Sequence, residues 1–412
     1  MRAGTAYWGI WDLSRSTPPP AEAGFAPGRA KRVSHRTRDG RRPQPSRVRW
    51  QRDGRGVAMG ASGQLGVGVV GYGYAGRAFH CYLASLERPH GLELRAVATR
   101  DPERQARARR DHPGARVHAT LDDMLRDDAV ELVVLATPHD THRDLAVRAL
   151  AAGRHVVVDK VMCLNLAEAD VMIEAAERAG RLLTVFHNRR WDWDYLTVRD
   201  VLARGWLGAP YLFESTVFGY GEPRGWRACR AQGGGILYDW GAHLVDQALQ
   251  LVPGPVGRVE CVTQSRRWSQ SDAGSYARLS LHFENGVLFV VEVGNLARRA
   301  KPRWYVLGEE GALVRQARDP QEPFLNRRAI DAVTEPPGER AVVHTVRDGL
   351  AVEAAVDTVR GSWRAFYQNV ADAALRGAPL AVAPREVRRA IAVFDAAEAA
   401  SRTGLPVRPA GE

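Results

Sequence analysis

The chain has 412 residues, 58 Lys+Arg against 47 Asp+Glu, and a formal net charge of +11. A hydrophobic fraction of 45% with 25% charged residues is ordinary for a soluble globular protein, the length suggests two or three domains, and no apolar run approaches the ~18–20 residues of a membrane span. The surplus charge is local: residues 1–58 carry 13 basic and 4 acidic side chains, a net of +9, so the nucleic-acid partner that a basic total invites attaches to one end of the chain only.

Residues 1–58 are rich in Pro, Gly, Ser and Arg without apolar periodicity, and a disordered extension is expected there, with Met59 as the functional start. From Leu65 the pattern becomes strand, turn, helix. Leu65–Val70 predicts a strand, Gly71-Tyr72-Gly73-Tyr74-Ala75-Gly76 a turn, and Arg77–Leu86 a helix. Leu92–Ala98 predicts a second strand, Pro102–Arg110 a helix capped by Asp101, and Leu121–Leu125 a short helix. Val130–Ala136, His155–Val158 and Leu182–Phe186 follow as strands, separated by helices at Asp144–Ala152 and Ala167–Ala179. This alternation is that of βαβ units and a parallel sheet. Beyond residue 187, Tyr211–Tyr220, Arg258–Trp268, Tyr276–Phe283 and Val287–Val293 read as longer strands, with an Asn285-Gly286 hairpin signal, and Arg385–Ala400 as an amphipathic helix. The expected fold is therefore α/β: a Rossmann dinucleotide-binding domain over 59–187, then an α+β domain over 188–412 whose large, mostly antiparallel open sheet serves substrate binding and oligomerisation.

Four cysteines lie far apart without metal-ligand or redox spacing, which fits a reducing, cytoplasmic setting and predicts no metal site. A G-x-G-x-x-G turn between a strand and a helix lets a pyrophosphate approach the helix N-terminus. At the end of the second strand an Asp or Glu would read the ribose of NAD; Thr99-Arg100 stands there instead, and a hydroxyl beside a guanidinium favours NADP over NAD. Only three residues are lysine (Lys31, Lys160 and Lys301). A lysine kept among 55 arginines marks a place where a titratable amine is wanted, because an arginine cannot release its proton near neutrality.

Several segments then become recognisable in order: Thr137-Pro138 with His142; Gly153-Arg154-His155-Val156-Val157-Val158-Asp159-Lys160; His187-Asn188-Arg189-Arg190-Trp191-Asp192; and Gly233 to Asp246 with Asp239 and His243. Together they resemble the glucose–fructose oxidoreductase / inositol dehydrogenase / rhizopine-catabolism (Gfo/Idh/MocA) family from about Leu65 to Val407. Phe79-His80 after the glycine turn is similar to the NADP-linked scyllo-inositol dehydrogenase-like branch. The resemblance implies hydride transfer between a nicotinamide and a secondary alcohol or ketone of a sugar, cyclitol or related polyol, in a homodimer or homotetramer without nucleic-acid or membrane partners. It implies Lys160, Asp239 and His243 as catalytic and substrate-binding residues, with Thr137, Pro138, His142, Asp159 and Asn188 joining Lys160 and the turn at the cofactor. Asp239 and His243, spaced i, i+4, share one face of a helix. Trp226 is expected at the substrate, whereas Arg190, Arg224 and Arg227 read as ion-pair partners. Two departures stand out: Asp159 replaces the family's Glu, and Val161 replaces its Pro, so the backbone geometry a proline imposes after the lysine is expected to be lost. Two alternatives remain open: a nucleotide-sensing regulator without turnover, and a reductase of a non-sugar carbonyl or imine.

Overall fold

Every residue of β1 (Leu65–Val70) is buried, the pattern of a parallel strand covered on both faces. The computed structural model describes residues 63–411, so the expected extension over 1–58 and the start at Met59 lie outside the described residues. After β1 the glycine turn leads into a π-helical turn at Ala75–Cys81 that continues as α1 (Tyr82–Leu86), two residues earlier than the helix predicted from Arg77. Next come β2 (Leu92–Ala98), α2 (Pro102–Asp111), β3 (Arg116–His118), α3 (Leu121–Leu125), β4 (Leu132–Leu135), α4 (His142–Ala151), β5 (His155–Val158), α5 (Leu166–Ala179) and β6 (Leu183–Val185). Asp101 caps α2 by accepting from the Glu103 and Arg104 amides at 2.9 and 3.1 Å. The six strands lie in the order β3-β2-β1-β4-β5-β6, all parallel. Strand order reverses between β1 and β4, and ligands of open α/β sheets gather at the carboxyl ends of such a pair.

The second sheet follows α6 (Trp193–Ala203) and is built from β7 (Pro210–Phe218), β8 (Val256–Gln264), β9 (Tyr276–Phe283), β10 (Leu288–Gly294), β11 (Trp304–Gly308), β12 (Gly311–Arg315), β13 (Val342–Arg347) and β14 (Leu350–Ala355), with α7 (Ala242–Leu251) between β7 and β8 and α8 (Gln321–Asn326) between β12 and β13. The order is β14-β13-β12-β11-β7-β10-β9-β8, antiparallel except for the β7/β10 pair. Eight residues of α7, from Ala242 to Leu249, are buried.

Two C-terminal helices, α9 (Arg364–Arg376) and α10 (Pro384–Thr403), return to the first domain. α9 packs on α1 and β1, and α10 packs on α5 and β6 as well as on α7 and β8. Polar contacts stitch this return: His80 Nδ1 lies 2.7 Å from the Tyr367 hydroxyl, Thr184 donates to the Val382 carbonyl, and Arg364 Nε donates at 2.6 Å to the fully buried Glu87. The dinucleotide-binding sheet is thus roofed by residues from the far end of the chain.

Candidate active site

The glycine turn has the shape a dinucleotide needs. Gly71 sits at φ +97°, and a Cβ there would lie 2.3 Å from the Ala136 carbonyl oxygen. A Cβ on Gly76 would meet the Gly71 carbonyl at 1.8 Å, so that glycine lets the helix close on the strand. Gly73 differs: its absent Cβ would face open space, with Arg104 Nη1 the nearest atom at 3.9 Å. That opening is where a pyrophosphate would lie against the turn. The Tyr72 ring points away, its hydroxyl donating to Asp111 at 2.8 Å, whereas the Tyr74 hydroxyl reaches Asn326 at 3.0 Å and Glu322 at 3.3 Å across the cleft. Ala75 opens the π-helical turn. At the end of β2, Thr99 is buried and its carbonyl accepts from Gln105, while Arg100 is exposed. The one carboxylate near, Asp101, is engaged by its helix cap and by Arg104 Nε at 3.3 Å.

At the carboxyl end of β4, Thr137 pairs with Thr141 through their hydroxyls, and Pro138 begins the turn toward α4. His142 follows, the residue expected at the cofactor. It is fully buried, with Nδ1 2.8 Å from the Val161 carbonyl and Nε2 3.0 Å from the Thr137 carbonyl, so it braces two loops behind the site. His139, absent from the predicted set, bridges the domains: its Nδ1 lies 2.9 Å from the Gly233 carbonyl, 94 residues away. Burial, reinforced by His142 and Lys160, depresses its pKa to about 3. Trp226 packs edge-on against the His139 ring at 4.4 Å.

The end of β5 carries Asp159 and Lys160. Asp159 accepts from the Lys160 amide and lies 3.7 Å from His80 Nε2. Burial alone would raise its pKa, but His80, followed by Lys160, holds it below the usual carboxylate range. The Lys160–Val161 peptide bond is cis, so the backbone form expected to disappear with the proline is present. Lys160 Nζ donates to Asp239 Oδ1 at 2.7 Å and to the Asp239 carbonyl at 2.5 Å. Asp239 lies in a π-helical turn (Leu237–Gly241) that runs into α7, which carries His243. Burial raises the Asp239 pKa, but Lys160 and then Arg227, at 3.8 Å from Oδ2, more than reverse this and keep the carboxylate charged. His243 is buried with an unpartnered Nδ1; burial first, then Lys160, Arg189 and His187, hold its pKa well below the ordinary value. A buried neutral imidazole is thus set beside a charged amine–carboxylate pair.

His187 stacks edge-on to His243 at 6.2 Å, and neither of its ring nitrogens has a hydrogen-bond partner; burial depresses its pKa to about 4. Asn188 is likewise buried with an unpartnered Nδ2. Arg190 is structural, paired with Asp246 at 2.7 and 2.9 Å and with Glu386 at 2.9 Å. Arg189 was not predicted; it stacks 4.2 Å from the Trp240 ring and donates to Asp192 and Glu322. Behind it, Asp192, Asp194 and Asp319 lie close enough together for one cation. All six of their oxygens already accept from protein donors, Arg189 and Arg303 among them, so the group reads as a buried ion-pair network.

Comparison with known proteins agrees with this geometry. Residues 65–187 match the oxidoreductase family NAD-binding Rossmann fold, and residues 195–314 match the GFO/IDH/MocA C-terminal domain. The chain belongs to the Gfo/Idh/MocA oxidoreductase family. Among its relatives, the uncharacterized oxidoreductase YdgJ of Escherichia coli is 35% identical over 76% of this chain and 89% of its own. The scyllo-inositol 2-dehydrogenase (NADP+) IolW of Bacillus subtilis is 28% identical over 82% of this chain and 93% of its own. A solved oxidoreductase structure from Klebsiella pneumoniae superposes with a TM-score of 0.74 at 32% identity, covering 85% of this chain and 96% of that one. Gfo/Idh/MocA membership makes the protein an NAD(P)-binding oxidoreductase, and the two sheets described above are the architecture of that family. Among the described residues, no helix is long and apolar enough to cross a membrane.

Proposed function

We propose that the protein is a cytoplasmic, homo-oligomeric, NADP-preferring dehydrogenase or reductase that interconverts a secondary alcohol and ketone of a sugar, cyclitol or related polyol. The observation that carries this reading is the meeting of Lys160, Asp239 and His243 at the domain junction, beside the cradle that Gly73 leaves open. NADP, when bound, would accept or supply the hydride; Gly71–Gly76 would hold its pyrophosphate, with Thr137, Pro138 and Asn188 toward its nicotinamide end. Asp239 fixes the Lys160 ammonium through two hydrogen bonds and leaves it a proton to share with a substrate oxygen. His243, neutral because it is buried, takes the carbinol proton in oxidation and returns it in reduction. The preference for NADP rests on Arg100 and Arg104 flanking the turn while Asp101 is engaged as a cap. The named activity of the relative IolW agrees with both cofactor and substrate class.

The test is a panel of polyols, cyclitols and their keto forms assayed with NADP and NAD by nicotinamide absorbance. Turnover of one polyol pair, and a loss of about 10- to 100-fold in kcat/KM for NADP but not NAD in Arg100→Ala plus Arg104→Ala, is expected. A chain that binds NADP yet turns over no carbonyl or alcohol in the panel would be a nucleotide sensor instead.

A further inference from the structure

Trp240 lies between the site residues Asp239 and His243 in sequence, and its ring centroid is 6.0 Å from that of His243. Two guanidinium groups lie against this ring, Arg189 at 4.2 Å and Arg318 at 5.4 Å. Their circumstances differ. Arg189 is compensated by Asp192 at 3.2 Å and Glu322 at 2.8 Å. Arg318 has no carboxylate within ion-pair distance among the described residues. The acidic groups it senses are already engaged: Glu322 by Tyr74 and Arg189, and Asp194 by Arg303, Trp304 and the Tyr195 amide. Arg318 is also open to solvent as a residue, although burial lowers the pKa of its guanidinium. Arg318 is thus exposed, with its guanidinium 5.4 Å from a Trp240 ring that is itself 6.0 Å from His243. A guanidinium without an ion-pair partner, placed this close to the catalytic imidazole, is free to bind an anion.

We infer that the substrate of this enzyme is an anionic polyol whose carboxylate or phosphate group is bound by Arg318 while its carbinol carbon is presented to Lys160, Asp239 and His243. The inference rests on the proposed function and narrows its substrate class to sugar acids or sugar phosphates. The separations of 5.4 and 6.0 Å place the Arg318 guanidinium no more than about 11.4 Å from the His243 ring, a span that a five- or six-carbon chain with its terminal oxyanion bridges. On the other side of Asp239, Arg227 lies over the Trp226 ring at 4.5 Å but is already turned to Asp239, so the free charge is on the Trp240 side.

The test is a binding titration that needs no turnover. The NADP-loaded full chain is titrated with D-gluconate, D-glucose 6-phosphate and D-glucose by tryptophan fluorescence, in parallel with kinetics on the same sugars. The expected result is that one anionic probe binds at least 10-fold tighter than glucose, and gluconate against the phosphate ester tells which oxyanion the site takes. Arg318→Met should cost that probe about 10- to 100-fold in affinity, Arg318→Lys should recover part of it, and glucose and NADPH affinities should change less than threefold. Equal binding of charged and neutral sugars overturns the inference. So does an Arg318→Met variant that weakens NADPH and spares the anion, since the guanidinium would then serve the cofactor's phosphates. Arg318-dependent anion binding without turnover leaves this inference standing and defeats the proposed reaction; turnover of neutral polyols without an anionic preference does the reverse.

Discussion

Replacing Lys160 separates the roles packed into the site. In Lys160→Met, Asp239 loses the ammonium at 2.7 Å and keeps only Arg227 at 3.8 Å. Its carboxylate is then a buried charge with a distant partner, and its pKa climbs from below the usual carboxylate range toward what burial alone dictates. Leaving such a group under-compensated costs about 1–3 kcal/mol of stability, which the buried packing of α7 should survive. The chemical cost is larger. Removing one preorganised donor to a developing alkoxide costs about 10²–10³ in rate, so kcat/KM should fall at least 10²-fold while NADP affinity changes less than threefold. Lys160→Arg completes the argument: it restores a cation beside Asp239, and with it the stability, but a guanidinium cannot relay a proton near neutrality. The assay is steady-state turnover of the best polyol substrate beside cofactor titration and thermal melts on all three proteins. Near-wild-type turnover in Lys160→Arg would refute the requirement for an amine, and near-wild-type turnover in Lys160→Met would remove Lys160 from the mechanism.

Gly73→Val should leave the melting temperature of the free protein within a degree or two, because nothing lies closer than 3.9 Å to the new Cβ, yet raise the NADP dissociation constant more than 10-fold; Gly76→Val, with a Cβ 1.8 Å from a carbonyl, should instead destabilise the protein itself, and equal thermal effects would contradict this reading of the cradle. Stability should fall as pH drops from about 6.5 toward 4. His139, His155 and His187 titrate at about 3, 4 and 4 in the folded chain against 6.5 when unfolded, so the unfolded state binds more protons throughout that window and each contributes about 1.4 kcal/mol per pH unit. Asp319, raised to about 6, opposes one of them, and a stability that rises with pH in urea melts across pH 4.5–6 is expected; a flat profile would mean these imidazoles are not held neutral. Arg364→Met should cost about 3 kcal/mol in chemical denaturation by stripping the main cation from the fully buried Glu87, and the double variant with Glu87→Gln should recover much of the loss.

The first domain was legible because its parallel strands are continuous apolar runs and glycines follow α4 and α5: β1, β2, α3 and β5 have the predicted limits. Strands β11 to β14 escaped because they are short and half-exposed, and their alternation shows only beside their neighbours in the sheet. β3 has three residues at a sheet edge, and α9 was not read although Gly377 in the left-handed region and Pro379 stop it. In the site, Lys160 was visible through its rarity, and Asp239 with His243 through the family resemblance of the segment from Gly233 to Asp246. His139 and Arg189 were not, since their partners are far away in sequence: Gly233 for one, Glu322 and Trp240 for the other. His142 shows the converse, a residue of suitable chemistry that is fully buried with its ring between the Val161 and Thr137 carbonyls, one of which accepts its single N–H.

The roof that α9 lays over the nucleotide domain has a bearing on the order in which the protein is made. Residues 65–187 leave the ribosome first, carrying every strand of the parallel sheet, but Trp363, Phe366, Tyr367 and Val370, which are buried in the finished core, arrive nearly two hundred residues later. Until then His80 lacks its Tyr367 partner, Glu87 lacks its arginine, and the helix that follows the glycine turn has a bare apolar flank. A nascent or truncated chain ending before Arg364 therefore leaves the α1 and β1 surface that α9 covers open to solvent, with Glu87 short of its arginine.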